Sequence, residues 1–324
     1  MSARIVAAVI AVILGIGAAQ AQTDAARWPQ RPIRLIVPFT AGSSSDTVAR
    51  LVAAKLAERL RQQLVVENRV GGSGNVGTEA VVRADPDGST LGLGNTSTLA
   101  LAASLGALGY DPLTDLAAVS MHGHTPFVLA ARPGQPAHSI GELIALARGK
   151  PRELSYASAG PATFAHLAAV LFEQTAGITL THVPYRGTAQ STLDLIEGRV
   201  DMQFGTIPPA LAYLRAGKLN ALAVTGGARN AALPDVPTMA EAGLAGYECI
   251  LWQALVAPAA TPAAIIARLN REVGAVLAEP ELRAMLAEQG IEPAPGTPEA
   301  LAARMRADAR KWREVIAERG IRER

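Results

Sequence analysis

Two short segments combine glycine with hydroxyl side chains, and each lies between a predicted strand and a predicted helix. Loop 1 is Thr40-Ala41-Gly42-Ser43-Ser44-Ser45, followed by Asp46, and loop 2 is Ser158-Ala159-Gly160-Pro161-Ala162-Thr163. The first-turn N–H groups of a helix have no intrahelical partner, glycine lets a ligand approach the backbone, and hydroxyl groups add donors. We therefore interpret the two loops as a divided site for a small anion.

Simple helix capping explains serine and threonine in any one of these loops equally well. A third segment of the same kind favours the anion site over capping. Loop 3 is Pro184-Tyr185-Arg186-Gly187-Thr188. The guanidinium of Arg186 is suited to a carboxylate but equally to a surface ion pair, and the sequence leaves both open. Further candidates for ligand contact are Asp46 after loop 1, Thr96 after a predicted strand, His166 on the helix after loop 2, and Gly205 and Thr206.

Motifs for catalysis, cofactors and metals are incomplete. Residues 72–77 have the glycine spacing of a dinucleotide fingerprint, but residues 93–96, where a ribose-binding acid is expected, contain no acid. His122 and His124 lack a third ligand nearby, and no serine lies in a complete G-x-S-x-G turn. We predict no catalytic residue, no metal and no cofactor. An exported hydrolase is the alternative from another class.

The N-terminus has the layout of a secretory signal peptide. Arg4 precedes an apolar stretch from Ile5 to about Ala18, and Ala19-Gln20-Ala21 supplies the small residues for cleavage after Ala21. A membrane anchor is the alternative, but the stretch is shorter than the roughly 20 residues that span a bilayer. We expect an exported, periplasmic protein.

Composition excludes several classes of partner. The 324 residues include 30 basic and 28 acidic side chains, and this net charge of +2 leaves no polybasic surface for nucleic acid. The single cysteine, Cys249, has no partner for a disulfide or a thiolate metal site. With 49% hydrophobic and 18% charged residues, the chain is expected to fold around a core. A small carboxylate remains compatible, because helix dipoles and backbone N–H groups do not enter the charge count.

The elements that must position the three loops repeat as strand, loop and helix. Apolar residues recur at helical spacing after loop 1, and the alternation continues to about residue 216, after which the chain is mainly helical from Pro262 to Arg319. Alternation of this kind predicts an α/β fold with mostly parallel sheets. The predicted strands are 34–38, 64–67, 90–93, 127–130, 154–157, 181–183, 202–204 and 251–257.

Two runs of such units predict two domains with a cleft between them. The chain is expected to cross first near residues 123–125 and to return between Val224 and Tyr247, where glycine and proline interrupt the pattern. Domain 1 is then formed by residues 22–123 and 246–324, and domain 2 by residues 124–245.

Motifs along the whole mature chain resemble those of the substrate-binding proteins of tripartite tricarboxylate transporters, also called Bug receptors. They include Pro29-x-Arg31-Pro32, Val65-Val66-Glu67-Asn68-Arg69, Ser155-Tyr156-Ala157-Ser158-Ala159-Gly160, His182-Val183-Pro184-Tyr185-Arg186-Gly187 and Leu233-Pro234-Asp235-Val236-Pro237. The resemblance implies a periplasmic binding protein of the type II-like Venus-flytrap kind, expected as a monomer. Such a receptor holds a small organic carboxylate and delivers it to the transporter's membrane subunits.

Carried over to this sequence, the resemblance points to one ligand carboxylate held between loop 1 and Ser158, Ala159, Gly160 and Thr163 of loop 2. His166, Tyr185 and Thr188 are expected neighbours. A receptor that signals to a membrane sensor is not separated from a transport receptor by these motifs.

Two departures from the family pattern bear on the ligand. Thr40 and Ser43 stand where the family commonly has proline and glycine, which adds hydroxyls, and Gly205-Thr206 stands where many members have Asp-Asn. If the acid of those members contacts the distal end of their ligand, its absence here disfavours an amino-acid ligand with a cationic amino group. The sequence therefore favours a neutral-tailed or aromatic mono- or dicarboxylate over aspartate or glutamate.

Overall fold

The computed structural model describes residues 27–105, 108–161, 163–185 and 187–319, so the predicted signal peptide and Arg186 lie outside the described residues. The strands are β1 Ile33–Val37, β2 Leu64–Asn68, β3 Thr90–Asn95, β4 Leu116–Ala131, β5 Ser155–Ser158, β6 Thr181–Pro184, β7 Met202–Thr206, β8 Asn220–Val224, β9 Ile250–Pro258 and β10 Glu292–Pro293. The α-helices are α1 Ser44–Leu60, α2 Asn75–Val82, α3 Ala102–Leu105, α4 Ile140–Gly149, α5 Phe164–Ala176, α6 Thr188–Ile196, α7 Ile207–Arg215, α8 Ala263–Leu277, α9 Pro280–Glu288 and α10 Pro298–Arg319.

The strands form two parallel groups joined by antiparallel strands. The order is β2-β1-β3-β9-β4-β7-β5-β6, and β8 and β10 also pair with β4. β1 is parallel to β2 and β3, and β5 is parallel to β6 and β7, whereas β4 and β9 run antiparallel to their neighbours. The predicted α/β fold class, with mixed sheets flanked by helices, is confirmed.

Each parallel group has its own core. Around β1, Ile33 and Leu35 pack with apolar residues of α1 and α8, including Val52 and Leu269. Around β5, the core includes Leu129 of β4, Tyr156 of β5, Phe172 of α5 and Phe204 of β7. Strands that are buried on both faces and covered by helices explain the near-continuous apolar runs in the sequence.

The long strand β4 connects the two groups. Its first part, Leu116 to Pro126, pairs with β9, and its second part, Phe127 to Ala131, pairs with β7. The second core also contains Trp312 of α10, which belongs to predicted domain 1, so packing continues across the predicted boundary. The division into two domains stays a prediction.

Sequence patterns missed part of the central sheet. Only residues 127–130 of β4 were expected as strand, and β8 and β10 were not expected. The register of β4 against β9 shifts after Ala118 and again after Met121, and such bulges interrupt the period-two alternation by which a strand is recognised. None of the described helices is long and apolar enough to cross a membrane.

Candidate functional site

A cleft of about 530 Å³ lies where the ends of the two strand groups meet. Segments that follow or end β1, β2, β3, β5, β6 and β7 form its walls, together with one residue each from β4 and β9. Its lining residues are Pro38, Phe39, Thr40, Ser43, Ser44, Ser45, Val70, Gly71, Gly72, Ser73, Gly74, Asn95, Ser97, Phe127, Ala159, Gly160, Pro161, Thr163, Phe164, Ala165, Tyr185, Gly187, Thr188, Gln203, Phe204, Gly205, Thr206 and Leu251.

Loops 1 and 2 hold equivalent places in this arrangement. Loop 1 follows β1, the middle strand of the group β2-β1-β3, and loop 2 follows β5, the middle strand of the group β6-β5-β7. Ligands of open α/β sheets bind outside the carboxyl ends of the strands. The topology therefore brings two helix N-termini, those of α1 and α5, to the walls of one cleft.

A buried carboxylate holds loop 1 from behind. Asp46 is 3% exposed and accepts hydrogen bonds from the Gly42 N–H at 2.9 Å, from Asn68 Nδ2 at 2.8 Å and from Arg50 Nε at 3.0 Å. Burial alone would raise the pKa of Asp46, but the hydrogen bonds from Arg50, Gly42 and Asn68 outweigh it and hold this pKa below its ordinary value. Ser43 caps α1 by accepting from the Asp46 N–H at 3.2 Å.

Two buried amide side chains reach the serines of loop 1 from neighbouring strands. Gln253 Nε2 of β9 donates to Ser44 Oγ at 2.8 Å, and Asn95 Nδ2 of β3 donates to Ser45 Oγ at 3.4 Å. Since Ser43 accepts from the Asp46 N–H, the amides of Ser44 and Ser45 are the first-turn donors of α1 that remain for a ligand.

Loop 2 is held by hydrogen bonds within itself. Ser158 Oγ donates to the Gly160 carbonyl at 2.9 Å, and Thr163 Oγ1 donates to the same oxygen at 2.8 Å. Thr163 also caps α5 by accepting from the His166 N–H. The Phe164 N–H donates to Ser97 Oγ at 3.3 Å, which joins the start of α5 to the segment after β3.

A stack of rings lies behind loop 2. The centroids of the His166 and His182 rings are 4.1 Å apart with an interplanar angle of 8°, and Tyr156 stacks on His182 at 4.9 Å. Burial lowers the pKa of His166 to about 4, with a contribution from His182, and burial also lowers the pKa of His182. Both imidazoles are therefore neutral at neutral pH. His182 Nε2 lies 2.7 Å from Ser158 Oγ, so the ring stack is hydrogen-bonded to the residue that begins loop 2.

The remaining walls are neutral and largely apolar. Tyr185 lines the cleft and donates its hydroxyl to Asp194 Oδ2 at 2.8 Å; burial and this contact raise the pKa of Tyr185 to about 12. Phe127, Phe204 and Leu251 add apolar surface. Among the described lining residues, none has a charged side chain.

Most of the predicted site residues lie together in this cleft. Those in its lining are Thr40, Ser43, Ser44, Ser45, Ala159, Gly160, Thr163, Tyr185, Thr188, Gly205 and Thr206. Those outside the lining are Ala41, Gly42, Asp46, Thr96, Ser158 and His166.

The residues outside the lining have structural contacts instead. Asp46 and Ser158 brace loops 1 and 2 from the interior, and His166 belongs to the ring stack. Thr96 is fully buried and accepts the N–H of Trp252 at 3.1 Å. Arg186 lies outside the described residues, so the choice between its two interpretations stays open.

Sequence reasoning missed one wall of the cleft. Residues 70–74, after β2, line it, and Gly71, Gly72, Ser73 and Gly74 all have positive φ, from 53° to 138°. The glycine spacing of this segment suggests a nucleotide fingerprint or a G-x-S-x-G turn, and neither motif is complete. Phe127, Phe204 and Leu251 carried no separate signal, because an apolar residue in a strand is also typical of a core.

The two histidines considered as a metal site have different surroundings. His124 Nε2 lies 2.9 Å from Glu292 Oε2, whereas His122 is 1% exposed and burial lowers its pKa to about 4. The described residues contain no group of three or more histidine, cysteine, aspartate or glutamate side chains that could hold a metal ion.

Sequence comparison agrees with the earlier resemblance. Residues 48–321 match the family described as "Tripartite tricarboxylate transporter family receptor". Protein BugT of Bordetella pertussis (strain Tohama I) is 35% identical over 315 residues, which cover 97% of this chain and 97% of BugT.

Solved structures of similar proteins share the fold. R. palustris Rpa4515 with adipate is 37% identical, with a TM-score of 0.87 over 91% of this chain and 99% of that one. MatC (Rpa3494) from Rhodopseudomonas palustris with bound malate is 32% identical, with a TM-score of 0.82 over 89% of this chain and 100% of that one.

Proposed function

This chain belongs to the tripartite tricarboxylate transporter receptor family, and from that premise we propose that it captures a small organic carboxylate in the cleft between loops 1 and 2. Its function is that of a carboxylate receptor for a transporter of this type. The observation that carries the proposal is the pairing of two helix N-termini, from equivalent positions in the two strand groups, across one cleft.

Backbone amides and hydroxyls are the proposed ligand contacts. The first-turn amides of Ser44 and Ser45 on α1, and of Ala165 on α5, supply N–H donors and the positive ends of two helix dipoles. Relatives with adipate and with malate support a carboxylate as the bound group. These dipoles and donors favour an anion, although no lysine or arginine is among the described residues of the lining.

The proposed ligand has a neutral or aromatic tail, on a mono- or dicarboxylate. A cationic amino group would find no carboxylate among the described lining residues. Phe127, Phe204 and Leu251 offer apolar contact to a tail, and Gly205 and Thr206 leave space where many relatives are expected to carry an acid. These features favour such acids over aspartate and glutamate.

We propose binding without catalysis, by an exported monomer whose leader is removed after Ala21. Ser158 is 1% exposed and braces loop 2 through its hydrogen bond to the Gly160 carbonyl, so the Ser158 and His182 pair does not present an accessible nucleophile. This arrangement argues against the hydrolase alternative.

A thermal-shift screen tests the proposal. The panel contains adipate, malate, benzoate, phenylacetate, aspartate and glutamate, with adipamide and benzamide as neutral controls, on ligand-stripped protein. At 100 times Kd, binding stabilises the folded state by about 2.7 kcal/mol, which raises Tm clearly. We expect a shift with an acid that has a neutral tail, confirmed by calorimetry. Silence across the acids, or turnover of any of them, contradicts the proposal.

A further inference from the structure

The hydroxyl groups of Ser44 and Ser45, in the first turn of α1, differ from those of several serines and threonines that have a helical turn before them. Thr78 Oγ1 donates to Gly74 O at 3.0 Å, Ser104 Oγ to Ala100 O at 3.0 Å and Thr192 Oγ1 to Thr188 O at 2.8 Å, in each case to the carbonyl four residues earlier. Among the described contacts, Ser44 and Ser45 only accept. A serine whose oxygen accepts one hydrogen bond keeps its proton for a different acceptor.

The orientation of the Asn95 amide is fixed by its own backbone contacts. Asn95 Oδ1 accepts the N–H of Ser97 at 2.9 Å and the N–H of Thr98 at 3.3 Å. The NH2 group is therefore the end that faces Ser45 Oγ, and Asn95, 4% exposed, also lines the cleft. Ser45 must turn its proton away from Asn95, which leaves the cleft as the direction for an acceptor.

Gln253 is in an unfavourable position for a residue that serves only packing. It is 1% exposed, its Nε2 donates to Ser44 Oγ at 2.8 Å, and its Oε1 is buried without a hydrogen-bond partner. An unpaired buried carbonyl destabilises the folded state, and an apolar side chain of the same size would avoid this cost. Among the described contacts, the hydrogen bond to Ser44 is the one that the Gln253 side chain makes.

We propose that Asn95 and Gln253 are positioning residues that hold the hydroxyls of Ser45 and Ser44 as donors toward a bound carboxylate. This inference rests on the carboxylate site proposed above and adds the origin of its selectivity. A carboxylate presents only acceptors to the two protons, whereas the NH2 group of the corresponding amide places donor against donor. The site therefore discriminates an acid from its amide.

Three variants separate this role from a structural one. Gln253→Met keeps the length of the side chain but removes the donor, and Gln253→Glu and Asn95→Asp replace a donor by an acceptor with almost no change of shape. We expect Gln253→Met to leave Tm unchanged or higher while weakening binding of adipate or benzoate severalfold. The two acidic variants should weaken binding of adipate or benzoate by about tenfold or more, which exceeds the effect of Ser44→Ala or Ser45→Ala. The serine variants lose only the hydrogen bond to the ionised ligand, whereas the acidic variants also repel the ligand carboxylate.

The measurements are calorimetric titrations with adipate and adipamide, and with benzoate and benzamide, next to a melting curve of each variant. In a Ser44→Ala background, Gln253→Met should have no further effect on affinity. The control is Asn270→Asp. Asn270 is partly buried, donates to the carbonyls of Val119 and Gly296, and lies outside the cleft lining. This control should lower Tm without changing affinity.

The outcomes distinguish the two proposals. If the unmodified protein binds no acid of the panel, the carboxylate site is wrong, and this inference falls with it. If it binds an acid but Gln253→Met and Asn95→Asp leave the preference for acid over amide unchanged, the positioning role is wrong while the receptor function stands. A lower Tm of Gln253→Met together with an unchanged affinity for the acid also overturns the positioning role.

Discussion

Loop 1 and loop 2 occupy equivalent places in the two strand groups, yet they use their hydroxyl protons differently. In loop 2, Ser158 and Thr163 both donate to the Gly160 carbonyl. In loop 1, Ser44 and Ser45 accept from amide side chains and keep their protons. Loop 1 therefore offers hydroxyl donors to the cleft, whereas loop 2 offers mainly backbone groups.

The groups behind the two loops differ as well. A buried ionised carboxylate, Asp46, organises loop 1, whereas loop 2 rests on neutral imidazoles and Tyr156. Equivalent topology thus fixes where a helix N-terminus points but not which chemistry holds its loop in shape. The consequence is that loop 1 and loop 2 should respond to different perturbations.

The largest expected effect is on loop 1. Asp46→Ala leaves the Gly42 N–H without its acceptor and removes one of the two acceptors of the Asn68 amide, and we expect the free energy of unfolding to fall by about 2–3 kcal/mol. Urea denaturation measures this loss. Arg50→Ala is the matched control: the Arg50 side chain is 52% exposed, so losing its ion pair should cost less than about 1 kcal/mol. Equal losses in the two variants would mean that Asp46 acts only through its surface partner.

As the pH falls, the stability contributed by loop 2 should be lost at a higher pH than the stability contributed by loop 1. The pKa of His166 is about 4 in the folded protein, below its ordinary value of 6.5, so the unfolded chain binds a proton first as the pH falls. Unfolding free energy should therefore decrease between about pH 6.5 and 4, by about 1–3 kcal/mol for this residue. The pKa of Asp46 lies below 3.8 in the folded protein, so its contribution is intact above 3.8 and is lost only as the pH falls further, through that lowered value.

Urea midpoints at pH 7.0, 5.5 and 4.5 test the response of loop 2, because all three values lie above the pH at which the contribution of Asp46 is lost. His166→Gln should flatten the decline between pH 6.5 and 4, while His122, whose pKa is also about 4, sustains part of it in both proteins. His138→Gln is the control, since the His138 side chain is exposed. If the unfolding free energy of His166→Gln falls with pH as steeply as that of the unmodified protein, the ring stack does not cause the pH dependence.

Local sequence patterns predicted the helices and parallel strands well, and the three loops with them. Loops 1 and 2 were found because first-turn donors, glycine and hydroxyls all lie within a few residues of each other. The resemblance to a receptor family was confirmed by the match over residues 48–321 and the similarity to BugT.

Contacts over long sequence separations were not predictable from pattern. Gln253 is 209 positions from Ser44, and Asn95 is 50 positions from Ser45. Within a buried strand, a glutamine that donates toward a ligand loop has the same local pattern as one that faces an adjacent helix. Asp46 was placed in the site because it is adjacent to loop 1, but its side chain turns inward toward the Gly42 N–H and Asn68.

The smallest expected difference concerns the two helix caps, which are otherwise matched. Ser43 accepts the Asp46 N–H and Thr163 accepts the His166 N–H, but Thr163 also donates to the Gly160 carbonyl. Ser43→Ala should lower unfolding free energy by about 0.5–1 kcal/mol, and Thr163→Ala by about 1–2 kcal/mol, because a cap is worth about 1 kcal/mol and a second hydrogen bond a similar amount.

Thr163→Ser separates the hydroxyl from the methyl group in this last comparison. It keeps both hydrogen bonds, so its unfolding free energy should lie close to that of the unmodified protein, whereas Thr163→Val keeps the volume and should resemble Thr163→Ala. Because loop 2 uses the Thr163 proton to hold the Gly160 carbonyl, Thr163→Val should also weaken carboxylate binding more than Ser43→Ala does. Equal effects of Ser43→Ala and Thr163→Ala on stability and on affinity would mean that both residues act as simple caps, and that the contrast between the loops lies entirely in Ser44, Ser45 and their amide partners.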